Sequence, residues 1–281
     1  MSYTTLVSTE ILKQHLNNSS WVMIDCRFSL ADVDAGAKAY RMGHIPNARY
    51  AHLDIDLSSP IKDYTGRHPL PDFKQLAKKL GLWGVSNKTQ VIVYDGGNGA
   101  FAGRLWWLLR CMGHDSVAVL NGGINQWQKQ GLPLTTTLPS ITAKTFRTYI
   151  NHSDWLTASQ VSNGLATKKI KLIDARTAKR FRGEIEPIDP VAGHIPHAIN
   201  RDFQLNLDNN GMFLTGNDLH EQFINLLGTT DPKQVVHMCG SGVTACHNLL
   251  AMEYAGFSGS KLYAGSWSEW IKNANHPITG V

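Results

Sequence analysis

Features that mark several classes of protein are scarce in this sequence. It has four cysteines among 281 residues and no Cys-x-x-Cys pair, so neither a disulfide scaffold nor a zinc site built on paired cysteines is expected. No apolar stretch approaches the roughly 20 residues that a membrane-spanning helix needs. Residues 1–13 lack the charged and apolar regions of a secretory signal, and the first arginine is Arg27. The sequence therefore predicts a cytoplasmic protein with reduced thiols.

Charge is also sparse, because charged residues make up 17% of the chain against 42% apolar residues. This composition is typical of a folded protein rather than a disordered one. The net charge is +5, but no run of four basic residues occurs. The sequence thus favours weak attraction of small anions over nucleic-acid binding. The twelve histidines show no paired ligand spacing, so no metal and no cofactor is expected.

What the sequence does contain is an internal repeat with a period of about 150 residues. Asp25-Cys26-Arg27 recurs as Asp174-Ala175-Arg176, and Gly43-His44-Ile45-Pro46 recurs as Gly193-His194-Ile195-Pro196. Asp95 directly follows an apolar run in the first half of the chain. Cys239 directly follows the corresponding run in the second half, so the two positions are equivalent. The repeat predicts two domains of one plan, at residues 1–136 and 153–281, joined by a linker at 137–152.

In each half, short segments typical of strands alternate with amphipathic segments typical of helices. In the second half they are 171–174, 218–227, 234–238, 244–254 and 261–263. This alternation predicts an α/β fold in which each domain is a parallel sheet flanked by helices. Ligands of such sheets bind beyond the carboxyl ends of the strands, where Cys239 is expected to lie.

The segment Cys239-Gly240-Ser241-Gly242-Val243-Thr244-Ala245 joins a predicted strand to a predicted helix. A thiol in this position faces unpaired backbone N–H groups and the positive end of the helix dipole, and both favour the thiolate. The two glycines allow the backbone to curl around the sulfur. The pattern predicts a nucleophilic Cys239 rather than a packed core cysteine.

The Asp-x-Arg and Gly-His-Ile-Pro repeats, the cysteine loop and Gly265-Ser266-Trp267-Ser268-Glu269-Trp270 together resemble the tandem rhodanese-domain sulfurtransferases. The loop is similar to that of the branch that uses 3-mercaptopyruvate, whereas thiosulfate-using members typically carry basic residues just after the cysteine. The resemblance implies that the first domain is catalytically inert, and Asp95 in place of the cysteine agrees because a carboxylate cannot accept a sulfur atom.

The resemblance also implies a mechanism. Cys239 would take sulfur from 3-mercaptopyruvate as a persulfide, release pyruvate, and pass the sulfur to cyanide, a small thiol or a thioredoxin-like protein. The backbone amides of the loop would stabilise the persulfide anion. These amides belong to Gly240, Ser241, Gly242, Val243 and Thr244.

For proton transfer, the resemblance implies a relay of Ser241, His68 and Asp56 assembled across the domain interface. For the substrate carboxylate it implies arginines. Arg180 matches the first of these, but Ile188 stands where relatives that use 3-mercaptopyruvate carry the second, after Glu-Pro. Arg182 or another nearby basic residue is expected to compensate, or the affinity for 3-mercaptopyruvate is expected to be weak.

Three other functions remain open at this stage. Thiosulfate could be the sulfur donor, although its two negative charges call for a cation that the loop lacks. A phosphatase of the same fold needs an arginine six residues after the cysteine, and that residue is Ala245. A non-catalytic binding protein would have no need of the complete cysteine loop.

Overall fold

Contacts divide the chain into two compact units in the computed structural model, which describes residues 2–280. The first unit comprises residues 2–59, 71–151 and 209–213, and the second comprises 60–70, 152–208 and 214–280. Residues 60–70 lie inside the first predicted domain, yet they pack with the second unit. Residues 138–151 form no helix or strand. The exact domain and linker boundaries stay a prediction.

The first unit is built on a parallel sheet of five strands in the order β1-β5-β4-β2-β3. The strands are β1 (Leu6–Val7), β2 (Trp21–Asp25), β3 (Arg49–Tyr50), β4 (Gln90–Tyr94) and β5 (Val117–Leu120). The helices are α1 (Thr9–Gln14), α2 (Ala35–Met42), α3 (Leu53–Asp56), α4 (Phe73–Leu82), α5 (Ala102–Cys111) and α6 (Gly123–Lys129).

The second unit repeats this topology with the strand order β6-β10-β9-β7-β8, again all parallel. The strands are β6 (Trp155–Leu156), β7 (Lys171–Asp174), β8 (Ile199–Asn200), β9 (Val235–Met238) and β10 (Lys261–Tyr263). The helices are α7 (Ala158–Ala166), α8 (Ala178–Phe181), α9 (Gly216–Leu227), α10 (Ala245–Tyr254) and α11 (Ser266–Trp270). The predicted α/β class and the two parallel sheets are confirmed.

Strands β4 and β9 lie inside their sheets and are buried along their whole length. Apart from Gln90 and His237, both strands consist of apolar or aromatic residues, because a parallel strand covered on two faces has no solvent-exposed side. Each strand ends in a loop that leads to a helix, β4 to α5 and β9 to α10. The sheet topology therefore carries Asp95 and Cys239 to equivalent carboxyl-terminal edges.

The repeated Asp-x-Arg motif is an internal brace in both units. Arg27 pairs with Asp25 at 2.6 Å, and Arg176 pairs with Asp174 at 2.7 Å. Each arginine also donates to the carbonyl oxygen of the glycine in its Gly-His-Ile-Pro segment, at 2.7 and 2.8 Å. The same bonds in both units support a structural role for the motif, because only one unit carries the cysteine.

Candidate active site at the Cys239 loop

Cys239 directly follows β9, and its side chain lies beneath the loop that leads to α10. The residue is 1% exposed, and the Gly242 N–H donates to its sulfur over 3.1 Å. Gly242 has φ +77, and a Cβ there would lie 2.3 Å from the carbonyl oxygen of Ala264. Only glycine fits this position without strain, so the backbone can turn an N–H toward the sulfur.

The start of α11 fixes the backbone of this loop. The Cys239 N–H donates to Ser266 Oγ at 3.0 Å, and the Trp267 N–H donates to the Cys239 carbonyl oxygen at 3.1 Å. The Ser268 N–H donates to the carbonyl oxygen of Gly240 at 2.9 Å. Three hydrogen bonds thus hold the cysteine and its successor in one conformation. The sequence identified this segment as a motif but gave it no role.

Ser266 adopts φ +53, a left-handed conformation that is costly for any residue with a Cβ. Its hydroxyl compensates by accepting from the Cys239 N–H and donating to the carbonyl oxygen of Tyr263 at 2.9 Å. The strain is therefore tied directly to the position of the cysteine.

Ser241 and His68, two of the predicted relay residues, are in contact. Ser241 Oγ lies 2.7 Å from His68 Nδ1, and both residues are buried. His68 reaches this position because residues 60–70 pack with the second unit. A hydroxyl bonded to an imidazole beside a thiol can pass a proton in either direction.

Asp56, the third predicted relay residue, belongs to the first unit. Its carboxylate accepts from the backbone N–H of His52 at 2.8 Å and pairs with the ammonium of Lys79. Asp56 is the last residue of α3, and its carboxylate binds the backbone N–H of His52, the residue that precedes this helix. Its membership of the relay stays a prediction.

Arg180, the predicted substrate-binding arginine, projects from α8 into a buried ionic cluster. It pairs with Glu186 at 2.7 Å and with Asp189 at 3.3 Å, and its side chain is 14% exposed. Arg182 points elsewhere, because it is exposed and pairs with Glu184 at 2.6 Å. Its role in binding substrate stays a prediction.

Arg67 is a residue that sequence reasoning missed. Its guanidinium pairs with Asp189 and lies next to Gly240, where a Cβ would come within 2.9 Å of its Nη2. Burial lowers the pKa of Arg67, and the neighbouring Cys239 acts in the opposite direction. The one available signal was position, since Arg67 directly precedes the predicted histidine.

The equivalent loop of the first unit is closed by Asp95. Its carboxylate accepts four backbone N–H groups at 2.9 to 3.1 Å, from Gly97, Gly99, Phe101 and Ala102. The N–H groups of this loop are therefore bound by its own carboxylate side chain, and the loop holds no sulfur that could act as a nucleophile.

Within residues 2–280, no three His, Cys, Asp or Glu side chains are grouped so that they could hold a metal ion. None of the helices in this range is both long enough and apolar enough to cross a membrane.

Comparison with known proteins gives consistent relatives. The profile of the rhodanese-like domain matches residues 8–130 and 157–273. The chain is 46% identical over 280 residues to a probable 3-mercaptopyruvate sulfurtransferase of Pseudomonas aeruginosa, covering 99% of both chains. It is 36% identical over 261 residues to a putative thiosulfate sulfurtransferase of Mycobacterium tuberculosis, covering 91% of this chain and 89% of the relative.

A solved structure shows the same architecture. The crystal structure of a 3-mercaptopyruvate sulfotransferase from Escherichia coli superposes with a TM-score of 0.80 at 32% identity. The match covers 95% of this chain and 100% of the other.

Proposed function

The chain belongs to the rhodanese family, and from this premise we propose that it is a sulfurtransferase that uses 3-mercaptopyruvate as donor and Cys239 as sulfur carrier. The observation that carries the proposal is the set of contacts around Cys239. Its sulfur accepts a hydrogen bond from the Gly242 N–H at 3.1 Å. Ser241, two residues after the cysteine, has its Oγ 2.7 Å from His68 Nδ1. The loop thus offers both a nucleophile and a group that moves protons.

In the first half-reaction, the Cys239 thiolate attacks the sulfur of 3-mercaptopyruvate. A sulfur–sulfur bond forms, and the carbon–sulfur bond of the donor breaks. The electron pair of that bond remains on carbon and gives the enolate of pyruvate. This is covalent catalysis, since the sulfur atom stays on the enzyme after the first product forms.

The enolate needs a proton, and the thiol of the donor carries one to give. Ser241 and His68, whose side chains lie 2.7 Å apart, take this proton and deliver it to the carbon, which completes pyruvate. Asp56 is assigned to the same relay as the group that orients the imidazole, by family resemblance.

The persulfide anion is stabilised by the loop amides, of which the Gly242 N–H already donates to the Cys239 sulfur. Gly240, Ser241, Val243 and Thr244 supply the other amides of this loop. In the second half-reaction an acceptor attacks the outer sulfur, and the Cys239 thiolate leaves. The acceptor is cyanide, a small thiol or the dithiol of a thioredoxin-like protein, and the reaction takes place in the cytoplasm.

Thiosulfate is the second candidate donor. One of the relatives is named a putative thiosulfate sulfurtransferase, and Arg67 supplies a cation near the cysteine that the loop sequence itself lacks. The favoured donor remains 3-mercaptopyruvate, because the segment from Gly240 to Thr244 contains no basic residue.

The test compares pyruvate and thiocyanate formation from each donor, with cyanide as acceptor. Wild-type protein is expected to favour 3-mercaptopyruvate, and Cys239→Ser is expected to form neither product. Intact-mass measurement after donor alone should show one added sulfur atom on wild type. Cys246→Ser is the matched control, because Cys246 is equally buried and lies in the first turn of α10.

A preference for thiosulfate would replace the donor but keep Cys239 as the carrier. Turnover by the Cys239→Ser variant would overturn the mechanism itself.

A further inference from the structure

The first unit carries an open cavity at the carboxyl-terminal edge of its sheet, beside the Asp95 loop. The cavity measures about 600 Å³, and all the residues that line it belong to the first unit. Ligands of parallel sheets bind at this edge, in cavities of roughly 300–1,000 Å³. The cavity is therefore large enough for a small molecule and lies where this kind of fold binds one.

Arg27, in the wall of this cavity, has a guanidinium nitrogen that its structural bonds do not use. Its Nε and Nη2 bind Asp25, and Nη2 also donates to the carbonyl oxygen of Gly43 at 2.7 Å. Its Nη1 has no partner within residues 2–280. Because the side chain is 15% exposed and lines the cavity, Nη1 can donate to a ligand there.

The second unit shows which group satisfies this nitrogen at the equivalent position. Arg176 corresponds to Arg27, and its Nη1 pairs with the Glu186 carboxylate at 3.3 Å. The Arg176 side chain is 1% exposed. Within residues 2–280, Arg27 pairs with no carboxylate except that of Asp25. The first unit thus lacks the internal carboxylate that the second unit provides.

The other charged groups of the wall favour a ligand with one negative charge. Lys129, the last residue of α6, is exposed, and its ammonium has no ion-pair partner within residues 2–280. Asp95 is the only acidic residue among the described residues of the wall, and four loop N–H groups bind its carboxylate. A phosphate would need such loop amides. The free donors therefore suit a monocarboxylate better than a phosphate.

Two aromatic rings give the same wall an apolar surface. Phe28 and Phe101 meet edge to face with their ring centroids 5.5 Å apart, and both are half-buried. Ala35 and Ala39 of α2 also line the cavity. A ligand with a ring or another apolar body would bury that body against these side chains.

Hydrogen bonds hold two parts of the wall in place. The Asn125 N–H donates to the carbonyl oxygen of Gly96 at 3.1 Å. Residues 209–213, two of which line the cavity, pack with this unit, and the Phe213 N–H donates to Asn121 Oδ1 at 2.9 Å. A wall that is already ordered lowers the entropic cost of binding.

We propose that the first unit binds a small monocarboxylate with an aromatic or other apolar body in this cavity. Arg27 Nη1 and the Lys129 ammonium hold the carboxylate, and Phe28 and Phe101 contact the apolar body. The ligand carboxylate takes the place that Glu186 has in the second unit. The inference goes beyond the proposed function and does not depend on it, because it requires no sulfur chemistry.

The test follows backbone amide resonances by NMR during titration with benzoate, acetate, benzamide and inorganic phosphate. Benzoate is expected to shift the amides of Gly96, Asn98 and Lys129, which line the cavity. Acetate lacks the ring and benzamide lacks the charge, so each should bind roughly tenfold more weakly or less. Phosphate should be weaker than benzoate. The amides of residues 240–244 report any binding at the cysteine loop instead.

Gly96→Leu tests the location, because Gly96 lines the cavity and a Cβ there would meet no atom within 4 Å. The larger side chain should fill part of the cavity and abolish benzoate binding in the first unit. Lys129→Gln removes one cation and should weaken binding roughly two- to fivefold. Lys74→Gln is the matched control, since it makes the same charge change on α4 outside the cavity wall. Arg27 stays intact, because its bonds to Asp25 brace the fold.

Several results would overturn the proposal. Benzoate shifts confined to residues 240–244 would place the ligand elsewhere, and unchanged benzoate affinity in folded Gly96→Leu would do the same. Equal affinities for benzoate and benzamide would show that the charge has no role. Tighter binding of phosphate than of benzoate would contradict the carboxylate class. Near-ultraviolet circular dichroism establishes that each variant is folded.

Discussion

The loops after β4 and β9 have the same place in the fold but opposite contents. In the first unit, Asp95 accepts four N–H groups of its own loop. In the second, the Cys239 sulfur accepts the N–H of Gly242. A carboxylate has two oxygens and can satisfy several donors at once, whereas one thiolate sulfur is a weaker acceptor. Four N–H groups of the Asp95 loop therefore already have an acceptor within the loop, whereas the Cys239 loop is suited to bind a larger anion.

The backbone hydrogen bonds that hold each loop are the same in both units, although one loop begins with Asp95 and the other with Cys239. The Ile124 N–H donates to the Asp95 carbonyl oxygen at 3.0 Å, just as the Trp267 N–H donates to that of Cys239. The Asn125 N–H donates to the carbonyl oxygen of Gly96 at 3.1 Å, just as the Ser268 N–H donates to that of Gly240. The fold therefore builds the same loop twice, and one side chain decides whether it can carry sulfur.

An open cavity of about 600 Å³ lies at the Asp95 loop, with Arg27, Phe28, Asn98 and Lys129 in its wall. The loop amides that would bind an anion there are already bound to Asp95.

The largest expected effect comes from Cys239→Asp, which gives the loop of the second unit the aspartate that the first unit has at the equivalent position. The carboxylate should accept the loop amides, so the protein should fold with stability close to wild type, while sulfur transfer is abolished. Activity assays and thermal unfolding measure the two quantities. Marked destabilisation would show that the two loops are not equivalent acceptors.

Asp95→Ala is expected to lower the free energy of unfolding by about 2–4 kcal/mol, because four N–H groups lose their acceptor. Asp95→Asn keeps one acceptor oxygen and should cost less. Urea unfolding of both variants measures the difference, and Cys239→Ser serves as the matched substitution in the other loop. Equal stability of Asp95→Ala and wild type would contradict this account.

A pH effect distinguishes the two strands that precede these loops. His237 occupies in β9 the position that Val93 holds in β4, and burial lowers the pKa of His237 to about 3. The unfolded chain binds a proton near pH 6.5 that the folded chain does not, so stability is lost as pH falls from about 6.5 toward 3. This contributes about 1.4 kcal/mol for each pH unit in that window.

His237→Val removes this contribution and copies the first unit. Its free energy of unfolding should therefore decline less between pH 7 and pH 5 than that of wild type. Chemical denaturation at both pH values measures the two slopes. Equal slopes would show that His237 is protonated in the folded protein.

The smallest expected effect concerns Ser266, where the first unit has Gly123 at the same φ of +53. Ser266→Ala keeps the strained conformation and loses the acceptor of the Cys239 N–H, which should cost about 1–2 kcal/mol. Ser266→Gly relieves the strain and should cost less. Thermal unfolding ranks the pair, and because both variants lack the hydroxyl, the reverse order would show that the positive φ of residue 266 carries no strain.

Much of the fold was predictable because its signals are local. The predicted segments at 171–174 and 261–263 coincide with β7 and β10, and 234–238 differs from β9 by one residue. The edge strands β1, β3, β6 and β8 were missed because each has two residues, too few for any periodicity. Their pairing is set by neighbours in the sheet.

The features of the site also separate into those that depend on local sequence and those that depend on tertiary contacts. The sequence by itself determined the repeat, the strand–loop–helix arrangement at Cys239 and the absence of a nucleophile at Asp95, because each depends on residues close together in the chain. The meeting of Arg67 with Asp189, 122 residues apart, was decided only by the tertiary structure. So was the contact of His68 with Ser241, 173 residues apart, although family resemblance predicted it. Sequence spacing carries no distance information across such separations, and only packing of residues 60–70 against the second unit brings these side chains together.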